Sequence, residues 1–497
     1  MAISAARSAA VQSTLLPTAF HSRAFFWFTL AVSIGYAIVY VVTDLNLFYD
    51  GAGFSFLVAT SRPWDLFWCN FPGRFTTFLL TVFPAQLLGE VTGSGSGAVL
   101  FYAILYICLP TLGVVATRFL DSTDDKHFSA YCNVATLTTL FYTFGFPTEV
   151  WILFGLFWPT LCCCACAQYS FVRLGAALVL LPLFLFTHEA AILFLPILAW
   201  VAIGSCHDWQ RALVLTAIVA VAAGWLAVKM LVPLCYPWRA SALWMLADRP
   251  LINMVSVGIA VATAGWLVTL VLTRITRLGN ETATYLPLAA GAAILALYLY
   301  LAADWIHGLS RYPARVLVVL QTFALACICV GHFMTGRKHP PPEVGWASTA
   351  MTNVLARFRV NISRGFVAFV GISIVAHSYA TATFVNAWMA FNREIDQIVT
   401  NGAPVPAGFG LVSLEEGSAT FVVGTDVPSP AFRLATGAIS AHVIMHAPGF
   451  ETKRLLVPGK ESVIRSDCEY GKSLERAPGA IGPSTVTLIR LHLCGAQ

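Results

Sequence analysis

Runs of roughly 15 to 25 apolar residues recur from about position 25 to about position 391, and this recurrence constrains the fold more tightly than any other feature. A backbone amide in hydrocarbon finds no water, so a crossing segment must satisfy its own amides, and a helix of about 20 residues does so. The runs lie at about 25–43, 97–117, 129–147, 150–167, 174–187, 190–204, 211–233, 251–273, 283–303, 316–334 and 365–391, which predicts eleven transmembrane helices. With 58% hydrophobic and 11% charged residues and a mean hydropathy of +0.76, a soluble globule is excluded. The expected fold class is therefore an all-α polytopic membrane protein. Its net charge of +5 matters less than how that charge is divided between loops, and nucleic-acid binding has no support.

One further stretch, "TTFLLTVFPAQLLG" at 76–89, is apolar but short and carries Pro84. Whether it crosses decides the orientation of everything after it. Lysines and arginines in short loops stay on the cytoplasmic side. If 76–89 does not cross, Arg7, Arg23, Arg118, Lys126, Arg173, Arg211, Arg274, Arg277, Arg337, Lys338, Arg357, Arg359 and Arg364 share one side. The opposite loops up to 364 then hold only Arg62, Arg74, Arg239, Arg249, Arg311 and Arg315. The stretch is accordingly expected to be interfacial or re-entrant. This gives a cytoplasmic tail at 1–24 leading into an uncleaved helix, a transmembrane region at 25–391 with a long first outer loop at 44–96, and a C-terminal extracytoplasmic segment at 392–497. That last segment is polar, with β-type runs such as "ATFVVGT" and "STVTLIRLHL" between Gly and Pro turns, and predicts a small β-rich domain. Residues 174–204 read either as a hairpin of two short spans turning at "THEA" or as one long helix.

Thirteen cysteines are present. The densest group, "CCCAC" at 162–166, lies in an apolar run with no histidine or carboxylate near it in sequence, and is expected to behave as buried apolar surface. Cys468 and Cys494 stand in the polar tail, where an oxidising compartment would let them pair.

The orientation sorts most distinctive polar groups onto the outer face: Asp44, Asp50 and Arg74 in the first loop, Glu149 in "FPTEVW", His188 and Glu189 in "FTHEAA", Arg239 in "YPWR", and His307, Arg311, Tyr312 and Arg315 in "IHGLSRYPAR". One ionisable group at a helix end is usually a solvated cap, but a carboxylate and an imidazole in turns this apolar need partners or a function. "HEAAI" lacks the second histidine of a zinc-protease helix. No phosphate-binding GxxxxGKS/T, no GxGxxG and no GxSxG is present, which disfavours ATP-driven transport and serine hydrolysis. An outer face with acids, arginines and histidine suits a lipid-linked phosphate ester: a carboxylate takes the proton of an acceptor hydroxyl, and arginines hold the leaving phosphate.

On these residues and this threading the chain resembles the C-type membrane glycosyltransferases, which carry a catalytic acid in the long first outer loop. The resemblance implies transfer of a sugar from a polyprenyl-phosphate-linked donor to a glycan or lipid acceptor of the cell envelope, within a bacterial-type plasma membrane whose lipids surround the chain. It nominates Asp44 or Asp50 as general base, His188 and Glu189 as part of the site, and Arg311 and Arg315 as phosphate binders. Asp50 is preferred, because "FYDG" sets it between an aromatic residue and a turn glycine, whereas Asp44 at the helix end reads as a cap. The two aspartates stand six residues apart and not as the DD, DE or DxD pair of many members, so no protein metal site is nominated and a divalent cation stays optional.

Three other classes compete, one of them a non-catalytic membrane scaffold that displays the C-terminal segment. A lipid-linked polysaccharide polymerase or ligase would work with arginine and histidine of later loops and leave the first-loop aspartates dispensable. A transporter or flippase would need ionisable groups near mid-membrane, for which Lys229, His332 and His377 are the candidates.

Overall fold

The computed structural model describes residues 18–48, 50–59, 74–139, 149–167, 170–231, 312–335, 362–415, 418–424, 432, 434, 439–447 and 453–458. The expected spans at 251–273 and 283–303, together with Cys468 and Cys494, lie outside them. The described chain is mainly helical: α1 (Arg23–Val42), α2 (Asp50–Ala59), α3 (Phe75–Thr92), α4 (Gly95–Leu120), α5 (His127–Thr139), α6 (Glu149–Cys166), α7 (Phe171–Leu185), α8 (Leu195–Ser205), α9 (Asp208–Leu231), α10 (Tyr312–Thr335) and α11 (Ile362–Asn401). Among the described residues five helices, α1, α3, α4, α6 and most of α9, are long and apolar enough to cross a membrane.

Contacts at the helix ends fix their directions. The Arg118 guanidinium at the end of α4 lies 5.7 Å from the Phe26 ring at the start of α1, so these two run antiparallel. Arg173 Nε at the start of α7 donates to Leu120 O at 2.9 Å, which sets α7 antiparallel to α4. The Cys206 thiol just after α8 lies against Cys164 O, and Gln210 Nε2 near the start of α9 donates to Ala167 O just after α6. At α10, His127 Nε2 is 2.9 Å from Cys329 O, and Gln321 Nε2 donates to Thr138 O at 3.4 Å. In α11, Trp388 Nε1 donates to Thr43 O at 2.8 Å, while Val370 packs in the core at the other end. Thus α1, α5, α7, α9 and α11 run one way, and α4, α6, α8 and α10 the other. The bundle has an Asp121 end, where α4 and α6 finish, and an Arg74 end, where α1 finishes and α4 starts.

Helix α6 is the central strut, with nearly every residue buried. It lies parallel to α4 at backbone contact: a Cβ on Gly113 would meet Gly155 O at 2.0 Å, and one on Gly155 would meet Leu109 O at 2.9 Å. Without a hydrophobic force to join helices in lipid, such small-residue approaches supply the packing.

Chain leaves α1 and re-enters α4 at the same end, so α3 belongs to an excursion that returns where it began. The helix is longer than the short stretch expected from sequence, running unbroken over 18 residues. It contains a π-turn at Phe78–Val82, just before Pro84, whose ring lacks the N–H of a regular helical bond. Gly93, at φ 67°, ends it in the left-handed conformation that glycine adopts without steric cost, and Ser94 then caps α4 by accepting from Gly97 N–H at 3.1 Å. The glycine- and serine-rich junction at 93–97 is therefore an ordered corner.

Residues 171–205 form a hairpin: α7, a turn at Phe186–His188, a 3-10 turn at Glu189–Phe194, then α8. The described tail is a three-stranded antiparallel sheet in the order β2 (Ser418–Val423), β1 (Phe409–Glu415), β3 (Arg454–Pro458), with helix α12 (Ile439–His446) beside it. "ATFVVGT" supplies β2. The tail's apolar residues share one core with the end of α1, α2 and the start of α4.

Candidate functional site

The turn before α3, the start of α6 and the turn after α7 meet at one point, and each brings a charged residue singled out in the sequence. Arg74 Nη1 lies 2.6 Å from Glu149 Oε1, and its Nη2 lies 3.2 Å from Glu189 Oε2. The side chains are 17%, 6% and 19% exposed, so the ion pairs form largely out of water. Burial by itself draws the Arg74 guanidinium toward the neutral form, but the Glu149 and Glu189 carboxylates outweigh it and raise its pKa above the ordinary value. His188 Nδ1 accepts from Ala190 N–H at 3.1 Å, which caps the 3-10 turn and leaves the ring proton on Nε2. That nitrogen is 3.7 Å from Glu189 Oε2.

Backbone contacts hold the same junction. Thr76 N–H donates to Phe186 O at 3.1 Å, and the Thr77 hydroxyl to Thr187 O at 3.4 Å, so α3 starts against the turn that presents His188 and Glu189. At its other end, Gln86 Nε2 donates to Leu57 O in α2 at 3.0 Å. Trp151, two residues into the turn after Glu149, lies 6.3 Å from the Tyr36 ring, six residues before the end of α1. At 1.5 Å per residue, the cluster lies on the order of 6–9 Å below the end of α1, inside the bundle and not on its rim.

A tyrosine set missed in the sequence borders this region. Tyr36 and Tyr40 repeat at i, i+4 on α1, Tyr102 and Tyr106 do so on α4, and all four are buried in the core shared with Phe54 and Trp151. The signal was present as two YxxxY spacings, each placing both rings on one helix face.

Asp44 stands at the helix end as expected, at the N-cap position of the 3-10 turn Leu45–Leu47, but its side chain makes no capping bond. Thr43 terminates α1, and Asp44 adopts φ 53°. Its carboxylate instead stands 3.9 Å from His446 Nδ1 of α12, and His446 Nε2 lies 3.3 Å from Asp396 of α11. Partial burial raises the Asp44 carboxyl above its ordinary pKa, against the lowering pull of His446. One helical turn away, His442 has Nδ1 3.3 Å from Leu47 O and Nε2 3.0 Å from Asn392 Oδ1, and packs edge-on against the Trp388 ring. Burial and the neighbouring His446 pull its pKa down to about 3.

Asp50 is the first residue of α2, and Tyr312 and Arg315 open α10, all at the Arg74 end; their side chains lie outside the described ones. Arg239, His307 and Arg311 also lie outside the described residues, and the side chains of Lys229, His332 and His377 do too. At the other end, Cys162, Cys163, Cys164 and Cys166 are buried as expected, but the end of α4 brings the Asp121 carboxylate among them. That neighbour was invisible in the local sequence.

No protein-family model matches this chain, and comparison finds neither a matching curated protein nor a matching solved structure.

Proposed function

We propose that the chain is a membrane glycosyltransferase that moves a sugar from a polyprenyl-phosphate donor to a cell-envelope acceptor at the Arg74 end. The observation that carries this reading is the convergence of Arg74, Glu149, His188 and Glu189 in one buried cluster, at the end where α2 begins with Asp50 and α10 with Tyr312 and Arg315. In this reading Asp50 is the base that accepts the acceptor hydroxyl's proton, and the leaving phosphate is held by Arg311 and Arg315. Arg74 is spanned by two carboxylates, so it acts as a positioning residue that holds Glu149 and Glu189 toward the site.

The orientation supports an outer-face site. Arg23, Arg118, Lys126, Arg173 and Arg211 gather at the Asp121 end, which supports a cytoplasmic assignment for that end by the positive-inside rule. An α3 that enters and leaves on one side fits eleven crossings, with the tail outside.

The test replaces Asp50 and Asp44 separately with Asn and follows one envelope glycan at matched protein level. Loss of the glycan in Asp50→Asn, with Asp44→Asn close to wild type, is expected. Full activity in both variants removes the mechanism and favours a polymerase or ligase that relies on later loops. Reporters fused after residues 96 and 281 are expected to report outside and inside, respectively.

A further inference from the structure

Two thiols and a carboxylate meet at the Asp121 end, far from the Arg74 cluster. Cys162 and Cys166 are four residues apart on α6 and so share one face, and both are completely buried. Asp121, the residue that ends α4, is also completely buried. One sulfur from each cysteine and a carboxylate oxygen of Asp121 all lie within 4.8 Å of one another. Tetrahedral ligands at Zn–S of about 2.3 Å and Zn–O of about 2.0–2.2 Å stand roughly 3.4–3.8 Å apart, so each separation needs to shorten by at most about 1.4 Å.

The carboxylate is already aimed. Oδ1 accepts from Thr123 N–H at 3.0 Å and from the Thr123 hydroxyl at 2.6 Å, and Oδ2 accepts from Ser129 N–H at 2.9 Å. These three donors occupy three of about four lone-pair positions and leave one on Oδ2. Such outer donors are what orients a metal-ligating carboxylate. The Ser129 hydroxyl beside it is buried and has no partner among the described residues, so this pocket holds polar capacity that the described protein groups leave unused. The Lys126 ammonium donates to the Asp121 backbone carbonyl and puts a positive charge next to the cluster.

We infer that Cys162, Cys166 and Asp121 form a binding site for one thiophilic divalent cation, with zinc as the natural occupant. Binding converts two thiols to thiolates and releases two protons. The three ligands then carry −3 against the cation's +2, and Lys126 neutralises the remainder. Thiolates select zinc over magnesium or calcium, which prefer all-oxygen shells. Three protein ligands leave a fourth position for water. The ion ties the end of α4 to the end of α6, the pair already in backbone contact at Gly113 and Gly155, and so works as a staple remote from the proposed transfer chemistry.

The experiment uses the full chain purified in detergent, with bound metal measured by elemental analysis and with Co²⁺ as the spectroscopic probe. One equivalent of zinc per chain is expected, together with sulfur-to-cobalt charge-transfer absorption when Co²⁺ replaces it. Cys162→Ser, Cys166→Ser and Asp121→Asn should each weaken binding by more than the 10–100-fold typical of an outer-shell change, whereas Cys164→Ser should keep it. Size-exclusion profiles separate loss of metal from loss of fold, and chelation of the wild-type chain tests the site without any substitution. A monodisperse wild-type chain that carries no zinc and gives no thiolate band with Co²⁺ overturns the inference. So does a Cys162→Ser/Cys166→Ser double variant with full occupancy.

Discussion

The two ends of α6 hold their buried polar groups in opposite ways. At its start, Glu149 meets a full charge of opposite sign within 2.6 Å, and Arg74 then bridges to Glu189. At its end, Cys162 and Cys166 meet another anion-forming group, Asp121, and the nearby cation, Lys126, addresses the Asp121 backbone carbonyl. The first cluster is stabilised by charges the protein itself supplies. The second carries no such internal partner for its thiols, and the inferred cation would supply it. Burying charge at the start of this helix required a charged partner, whereas the thiols at its end are buried uncharged beside a hydrogen-bonded carboxylate.

The largest effect is expected from Arg74→Leu, which leaves two carboxylates buried without their shared cation. A loss of about 3–5 kcal/mol is expected, read as thermal unfolding in detergent. Arg74→Lys should recover only part of it, because an ammonium cannot fork between two carboxylates as a guanidinium does. A change below about 1 kcal/mol in Arg74→Leu would show that water already compensates this end.

Gly113→Val strikes the strut between the two ends, since any Cβ there collides with the Gly155 carbonyl. Overpacking of about 1–3 kcal/mol is expected, with loss of cobalt absorption if α4 and α6 separate at their ends. Unchanged stability would mean that the two helices are not in the backbone contact described.

Acid sharpens the comparison at the tail. His442 is held near pKa 3 in the folded chain against an ordinary 6.5, with His446 stacked on it and Asp44 and Asp396 facing that second ring. The unfolded chain takes up the proton first, so the docked state is fully favoured above about pH 6.5 and loses ground as pH falls toward 3. The slope is at most about 1.4 kcal/mol per pH unit. Proteolysis of the tail should accelerate over that window in the wild type and less so in His442→Gln. A flat wild-type profile would contradict the burial of this ring.

The smallest effect is assigned to His188→Ala, which removes an imidazole cap from the Glu189 turn and costs about 1 kcal/mol in stability. Glycan synthesis should fall more than that figure suggests if Glu189 is thereby mispositioned. An equal, small change in both would reduce His188 to a cap.

Much of the site was legible because a charge in an apolar turn has few explanations. Glu149, His188 and Glu189 stood out in "FPTEVW" and "FTHEAA" for that reason, and Arg74 as one of the polar groups of the first outer loop. Their mutual distances were not legible, since 75 and 115 residues separate Arg74 from its two partners. The neighbourhood of Asp44 was not legible either, because His446 arrives from the far end of the chain. The carboxylate beside the thiols was not legible for the same reason: local sequence showed only cysteine and alanine, and Asp121 comes from the end of a different helix.

Sequence by itself marked the long apolar helices and the division of charge between loop ends, because backbone amides in hydrocarbon and the retention of basic residues are properties of segments taken one at a time. Tertiary structure alone decided which ends share a neighbourhood. It turned 174–204 into a hairpin, returned α3 to the side it left, closed Arg74 on two glutamates and set Asp121 beside two thiols. Each of those depends on distances between segments remote along the chain, and these are fixed only when backbones pack as closely as Gly113 and Gly155 do.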